Sequence, residues 1–135
     1  MTPAEPSARP TVAQTVLVVD DHDGFRAGIR RLLERHGYHV VEAVDGAQAS
    51  ARAAAVAPDL VLLDVHLPDV DGFTVATRLR RAGTAGAIVL TSTHPAIDYA
   101  ARLRASTADG FIDKADLSAA AIAAVLARRP VAPRR

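Results

Sequence analysis

Short apolar runs recur along the chain at residues 16–19, 38–42, 60–63, 87–90 and 110–112. Between them lie longer stretches where apolar residues return every three or four positions. Runs such as Val16-Leu17-Val18-Val19 and Leu60-Val61-Leu62-Leu63 contain no polar position. A strand of that kind buries both faces, as in a parallel sheet covered by helices on either side. Phe25, Ile29, Leu32 and Leu33 form one stripe of a helix that Gly37 is placed to end. An alanine-rich stretch, residues 47–57, predicts a second helix that stops before Pro58. Phe73, Val75, Ala76 and Leu79 predict a third after Gly72, and Ile97, Ala101 and Leu103 a fourth after Pro95. Leu117, Ile122, Val125 and Leu126 mark a fifth, with Asp116 or Ser118 as its cap.

The strand-then-helix unit thus occurs five times. Alternation of this kind implies a parallel sheet with right-handed crossovers. An eight-unit barrel needs about 250 residues, and this chain has 135. The expected fold is therefore α/β, a flavodoxin-like doubly wound (βα)5 three-layer sandwich with sheet order 2-1-3-4-5. Its crevice opens at the carboxyl ends of the strands. One domain is expected over residues 15–127. Residues 1–14, rich in Pro, Ala and Ser, read as a disordered lead-in, and the basic segment 128–135 as a solvated tail.

Composition narrows the chemistry. The absence of cysteine removes disulfides and thiolate metal or redox sites. A net charge of +1 gives no global attraction to nucleic acid or to a membrane surface. The longest apolar runs are too short to span a bilayer, and the first residues lack a signal-peptide core. The expectation is a cytoplasmic protein with no membrane contact and no direct nucleic-acid binding.

The polar residues that follow the strands carry the signal. Asp20 and Asp21 follow the first, Asp64 the third, Thr91 and Ser92 end the fourth, and Lys114 follows the fifth. In the order 2-1-3-4-5 these strand ends are neighbours at one crevice. Crowded carboxylates resist joint ionisation, and a hard divalent cation with oxygen ligands, Mg²⁺ above all, relieves the repulsion. Beside such a cation a carboxylate can attack phosphorus. An ammonium and a hydroxyl would stabilise the charge on the transferring group.

At these residues the chain resembles the CheY-like receiver domains of bacterial two-component response regulators. The resemblance rests on Leu17-Val18-Val19-Asp20-Asp21-His22, on the stretch from Leu62 through Asp64 and Pro68 to Gly72, and on Gly110-Phe111-Ile112-Asp113-Lys114. It covers residues 16–126. It implies that Asp64 is the phosphoacceptor and that Asp20, Asp21, Asp64 and the backbone carbonyl of His66 hold Mg²⁺. Lys114 would pair with the phosphoryl group. Ser92 would be the switch hydroxyl, on its spacing to Lys114, with Thr91 as the alternative. Phe111 would be the switch aromatic, against a plain core role. The implied partners are a sensor histidine kinase or phosphotransfer protein and a downstream protein reading the α4-β5-α5 face. Many members dimerise through that face when phosphorylated. The implied activity is that of a phosphoacceptor switch that takes phosphoryl groups from small donors and loses them again, rather than of an enzyme.

Departures stand beside the resemblance. Ala115 follows Lys114 where the family commonly has proline, and Ser106-Thr107-Ala108 replaces a common Gly-Ala pair. Asp69 and Asp71 read as turn residues around Gly72. His22, His66 and His94 all follow strands, and solvated loop histidines outweigh a zinc site there. His66 and His94 stand two residues after Asp64 and Ser92, positions from which they would tune dephosphorylation, with a pH dependence set by imidazole. Two other readings are carried forward. One is a pseudo-receiver, with the fold but no phosphorylation. The other is a haloacid-dehalogenase-type phosphatase using Asp21, from Asp21-His22-Asp23, although Phe25 breaks that motif. No helix-turn-helix fits after the fifth helix, so the chain is either a stand-alone switch or a fragment of a longer regulator.

Overall fold

The computed structural model describes residues 13–128. Most of the predicted lead-in and nearly all of the basic tail lie outside the described residues. The strands are β1 (Thr15–Val19), β2 (His39–Ala43), β3 (Leu60–Asp64), β4 (Ala87–Ser92) and β5 (Gly110–Asp113). They form one parallel sheet in the order β2-β1-β3-β4-β5. The helices are α1 (Asp23–Arg35), α2 (Gly46–Val56), α3 (Gly72–Ala82), α4 (Ala100–Ala105) and α5 (Ala119–Arg128).

The period-2 alternation of the central strands divides the core into two layers. Leu17, Val19, Val61, Leu63, Ile88 and Leu90 face the side covered by α2 and α3. Val16, Val18, Leu60, Leu62, Ala87 and Val89 face α1 and α5, meeting Ile29, Leu33, Ile122 and Val125. The central strands β1, β3 and β4 are therefore buried on both faces, as their unbroken apolar runs require. Each fully buried aliphatic side chain contributes roughly 1.5–3 kcal/mol. The edge strand β5 is only half-buried.

Local signals set the helix ends. Gly37, at φ 89°, takes the left-handed turn beyond α1 and its N–H donates to the Glu34 carbonyl. Asp45 caps α2 by accepting from Gln48 N–H, and Asp71 caps α3 by accepting from Thr74 N–H. Ser118, one of the two predicted caps of α5, accepts from Ala121 N–H at 3.0 Å.

The fourth helix departs from its predicted stripe. It is a 3-10 turn, Ala96–Tyr99, leading into the short α4. Ile97 is 80% exposed, whereas Tyr99 is 7% exposed and packs in the core. A 3-10 turn advances 120° per residue and not 100°, so a stripe counted from Ile97 with α-helical spacing selects the wrong residue. Asp69 also does more than turn the chain. It accepts from the N–H groups of Gly46 and Ala47, tying the β3–α3 connection to the start of α2.

Candidate functional site

The parallel register aligns the carboxyl ends of β1, β3, β4 and β5. Asp64 lies opposite Thr91, and Ser92 opposite Asp113. Asp20 follows β1 directly and is fully buried; Asp64, the last residue of β3, is 3% exposed. Asp21 is exposed at the rim. Donor atoms of Asp20, Asp21, His22 and Asp64 all lie within 4.8 Å of one another.

Lys114 closes the cluster from the far side. Its Nζ is 2.6 Å from Oδ2 of Asp20 and 3.2 Å from Oδ2 of Asp64. Nζ also lies 4.5 Å from the centroid of the Phe25 ring on α1, a cation–π contact. The Asp113 carboxylate accepts from the Ala115 N–H at 2.9 Å and starts the one-turn 3-10 helix Lys114–Asp116. Proline at 115 could not donate this bond. The departure at Ala115 thus has its own means of holding the lysine loop.

Electrostatics follow from burial. Burial pushes the Asp64 carboxyl above its usual range, and the charge of Asp20 adds to the rise. The His66 N–H, bonded to Asp64 Oδ1 at 3.1 Å, and Lys114 pull the other way. Burial would lower the Lys114 ammonium, but the hydrogen bond and charge of Asp20, with those of Asp64, hold it above its usual value. The His22 imidazole is raised by its hydrogen bond to Asp20, then by the charges of Asp20 and Asp21.

Neighbouring groups fix the acids in place. Arg26 donates to the backbone carbonyl of Asp20 at 2.7 Å while pairing with Glu42 and Asp23. Gly72 lies so close to β3 that a Cβ there would strike the Asp64 carbonyl and the Cα of Val65. Its N–H donates to the Val65 carbonyl at 2.7 Å. Glycine at 72 is therefore a condition for the chain to leave Asp64 as it does.

Residues 16–126 match the response regulator receiver domain family. The chain belongs to that family. The receiver domain is 35% identical over 100 residues to the transcriptional regulatory protein AfsQ1 of Streptomyces coelicolor, a match covering 74% of this chain and 44% of that protein. It spans about half the length, or less, of the curated relatives it matches. A LuxR-family two-component response regulator from Aurantimonas sp. SI85-9A1 superposes with a TM-score of 0.76 at 34% identity, over 90% of this chain and 91% of that one. TrrA of Thermotoga maritima, solved in complex with Mg²⁺-BeF, superposes with a TM-score of 0.73 at 27% identity, over 83% of this chain and 96% of that one.

The fold thus brings Asp20, Asp21, Asp64 and Lys114 of the receiver domain together as the sequence predicts. The hydroxyls sit differently. Thr91 and Ser92 are both buried, and Ser92 Oγ is bonded to the Tyr99 hydroxyl at 3.0 Å and accepts from His94 N–H at 3.0 Å. Phe111 is half-buried and packs 5.9 Å from the Tyr99 ring. The predicted set of histidines splits: His22 joins the carboxylates, while His66 and His94 stack edge-on at 5.7 Å beside Tyr99. Tyr99 was not among the predicted site residues. No spacing marked it, and the more apolar Ile97 two residues earlier drew the predicted stripe.

The donor set also bears on a metal. The side-chain donors are carboxylate oxygens and one imidazole, with no thiolate. Oδ2 of Asp20 is buried and, among the described residues, meets the Lys114 ammonium alone, at 2.6 Å. A buried carboxylate oxygen with one cationic partner, beside two further carboxylates, suits a hard divalent cation.

Proposed function

We propose that the receiver domain is a phosphoacceptor switch of a two-component system, with Asp64 as the acceptor and Mg²⁺ as the cofactor. The observation that carries this reading is the buried Asp64 held between Asp20 and the Lys114 ammonium, with Asp21 at the open rim. Asp20, Asp21, Asp64 and the His66 carbonyl are the residues that would hold the cation. When bound, Mg²⁺ neutralises charge on the transferring phosphoryl oxygens.

The chain's own groups supply the rest. An Asp64 oxygen forms the bond to phosphorus as the bond from phosphorus to the donor's leaving atom breaks, and the leaving group keeps that electron pair. Lys114, already 3.2 Å from Asp64, offers its charge to the phosphoryl oxygens. Ser92, in preference to Thr91, is the hydroxyl drawn to the phosphoryl group, and Phe111 the aromatic that follows it. Donors are a sensor histidine kinase or phosphotransfer protein, and small phosphoryl donors serve in their place. A downstream protein, or a second copy of the chain, reads the face formed by α4, β5 and α5. The Mg²⁺-BeF complex of TrrA supports the choice of cation. The similarity to AfsQ1 supports an output in transcription through a segment beyond this domain.

The test is intact mass after incubation with acetyl phosphate. One added phosphoryl group that requires Mg²⁺ and is blocked by EDTA is expected. No adduct together with no Mg²⁺ binding would favour the pseudo-receiver. An adduct lost in Asp21→Asn but retained in Asp64→Asn would favour the phosphatase reading.

His66 and His94 are proposed to set the lifetime of that adduct. Both are exposed, stand two residues after Asp64 and Ser92, and bring their rings together at 5.7 Å beside Tyr99. His66→Asn and His94→Ala should each change the half-life of the phosphorylated chain several-fold, measured by mass after removal of the donor. Half-lives equal to that of the unmodified chain would reject the idea.

A further inference from the structure

We propose that Tyr99 is a latch on the switch hydroxyl, holding Ser92 in the unphosphorylated arrangement and coupling its release to α4. The inference rests on the phosphoacceptor reading and adds a residue to it.

A chain of hydrogen bonds joins the end of β4 to the end of β3. His94 N–H donates to Ser92 Oγ at 3.0 Å. Ser92 Oγ and the Tyr99 hydroxyl are 3.0 Å apart in a buried contact. The Tyr99 hydroxyl and His66 Nε2 are 2.9 Å apart. A hydroxyl carries one proton and accepts with its lone pairs. The latch assigns the protons along this chain so that His66 Nε2 accepts from the phenol and the Tyr99 oxygen accepts from Ser92. Every link is then satisfied, and Ser92 has no second proton to give.

A phosphoryl group on Asp64 asks for that same proton. Ser92 can donate to the phosphoryl oxygen or to Tyr99, not to both. The latch therefore opposes the phosphorylated state by about the worth of one buried neutral hydrogen bond. That corresponds to roughly a three- to tenfold change in an equilibrium constant.

The geometry also says what the latch moves. The Tyr99 ring is buried among Phe73 at 6.1 Å, Phe111 at 5.9 Å and His66 at 6.0 Å between ring centroids. Tyr99 is the last residue of the 3-10 turn that runs straight into α4. A change in the hold on its hydroxyl reaches the first turn of α4 through one backbone link. Few side chains anchor this segment, since no residue of α4 itself is fully buried. Tyr99 is thus a positioning residue that acts through Ser92, and Phe111 is packed against it.

The test uses beryllofluoride with Mg²⁺ as the probe, titrated by ¹⁹F NMR into the unmodified chain, Tyr99→Phe, Ser92→Ala and the double variant. Tyr99→Phe should bind about three- to tenfold more tightly than the unmodified chain. In the Ser92→Ala background the same substitution should change nothing, because the latch needs both hydroxyls. Backbone amide shifts in α4 should move in Tyr99→Phe toward their beryllofluoride-bound positions. A packing role for the phenol would give equal effects in both backgrounds, and that result would overturn the latch. Unchanged or weaker binding by Tyr99→Phe would do the same. As a check on folding, thermal midpoints without beryllofluoride should be non-additive across the four proteins, and additivity would also overturn the proposal. Asp64→Asn should show no binding. If the unmodified chain also shows none, the phosphoacceptor reading itself fails, and the latch with it.

Discussion

Asp64→Asn is expected to take no phosphoryl group from acetyl phosphate and, at the same time, to melt at a higher temperature than the unmodified chain at neutral pH. The loss of the adduct follows from the loss of the nucleophilic carboxylate. The gain in stability follows from burial. Burial first, and the Asp20 charge after it, raise the Asp64 carboxyl above its unfolded value. A raised acid contributes stability that is fully present below its unfolded value. That contribution is lost as pH rises through the folded value. At neutral pH the ionised Asp64 therefore costs stability, and an amide of the same shape removes the charge. A gain on the order of 1 kcal/mol is typical of relieving such a functional strain. It should shrink as pH falls toward 4. Urea unfolding at pH 7.5 and pH 4 measures it, and a variant less stable at neutral pH would show that the Lys114 bond outweighs the burial cost.

Lys114→Met should be the most destabilising single change at the site. The ammonium is the positive charge placed against two buried carboxylates, at 2.6 Å from Asp20 and 3.2 Å from Asp64. Removing one partner of a buried charge cluster leaves the others unpaired, a loss of about 3 kcal/mol. Because its partners hold the Lys114 value above the ordinary one, its contribution is present throughout the neutral range and fades only as pH rises through that raised value. In the variant, Asp64, already raised by burial, is relieved by protonation as pH falls, so the loss should be largest near pH 8 and smaller near pH 4. Millimolar Mg²⁺ should restore part of the stability at neutral pH, since it supplies the missing charge. A loss independent of both pH and Mg²⁺ would assign the role of Lys114 to its cation–π contact with the Phe25 ring rather than to the two carboxylates. The same variant should form the acetyl phosphate adduct far more slowly.

The stabilities of these two variants should move in opposite directions although both remove one charge from one cluster. That contrast separates the reading from a general effect of surface mutation, because only an over-acidic buried site makes losing an anion favourable and losing a cation costly.

Much of this was written in the sequence. The unbroken apolar runs of β1, β3 and β4 read as strands covered on both faces, and their fivefold alternation with helical stripes in a chain of this length pointed to the layers and to the order β2-β1-β3-β4-β5. Once the strand order is known, Asp20, Asp21, Asp64 and Lys114 must meet, because each stands at the carboxyl end of its strand. Backbone direction and register are enough to place them. Which residues of the segment from Ala96 to Ala105 turn inward was decided by tertiary structure alone. A 3-10 turn and a short helix make too few local bonds to fix their own rotation, so the cavity beneath them selected Tyr99 over the more hydrophobic Ile97. Tyrosine fits there because its ring fills the space beside Phe73 and Phe111 while its hydroxyl reaches Ser92 and His66. Those partners are far from Tyr99 in sequence or sit at no periodic spacing from it, and only packing could bring them within hydrogen-bond distance.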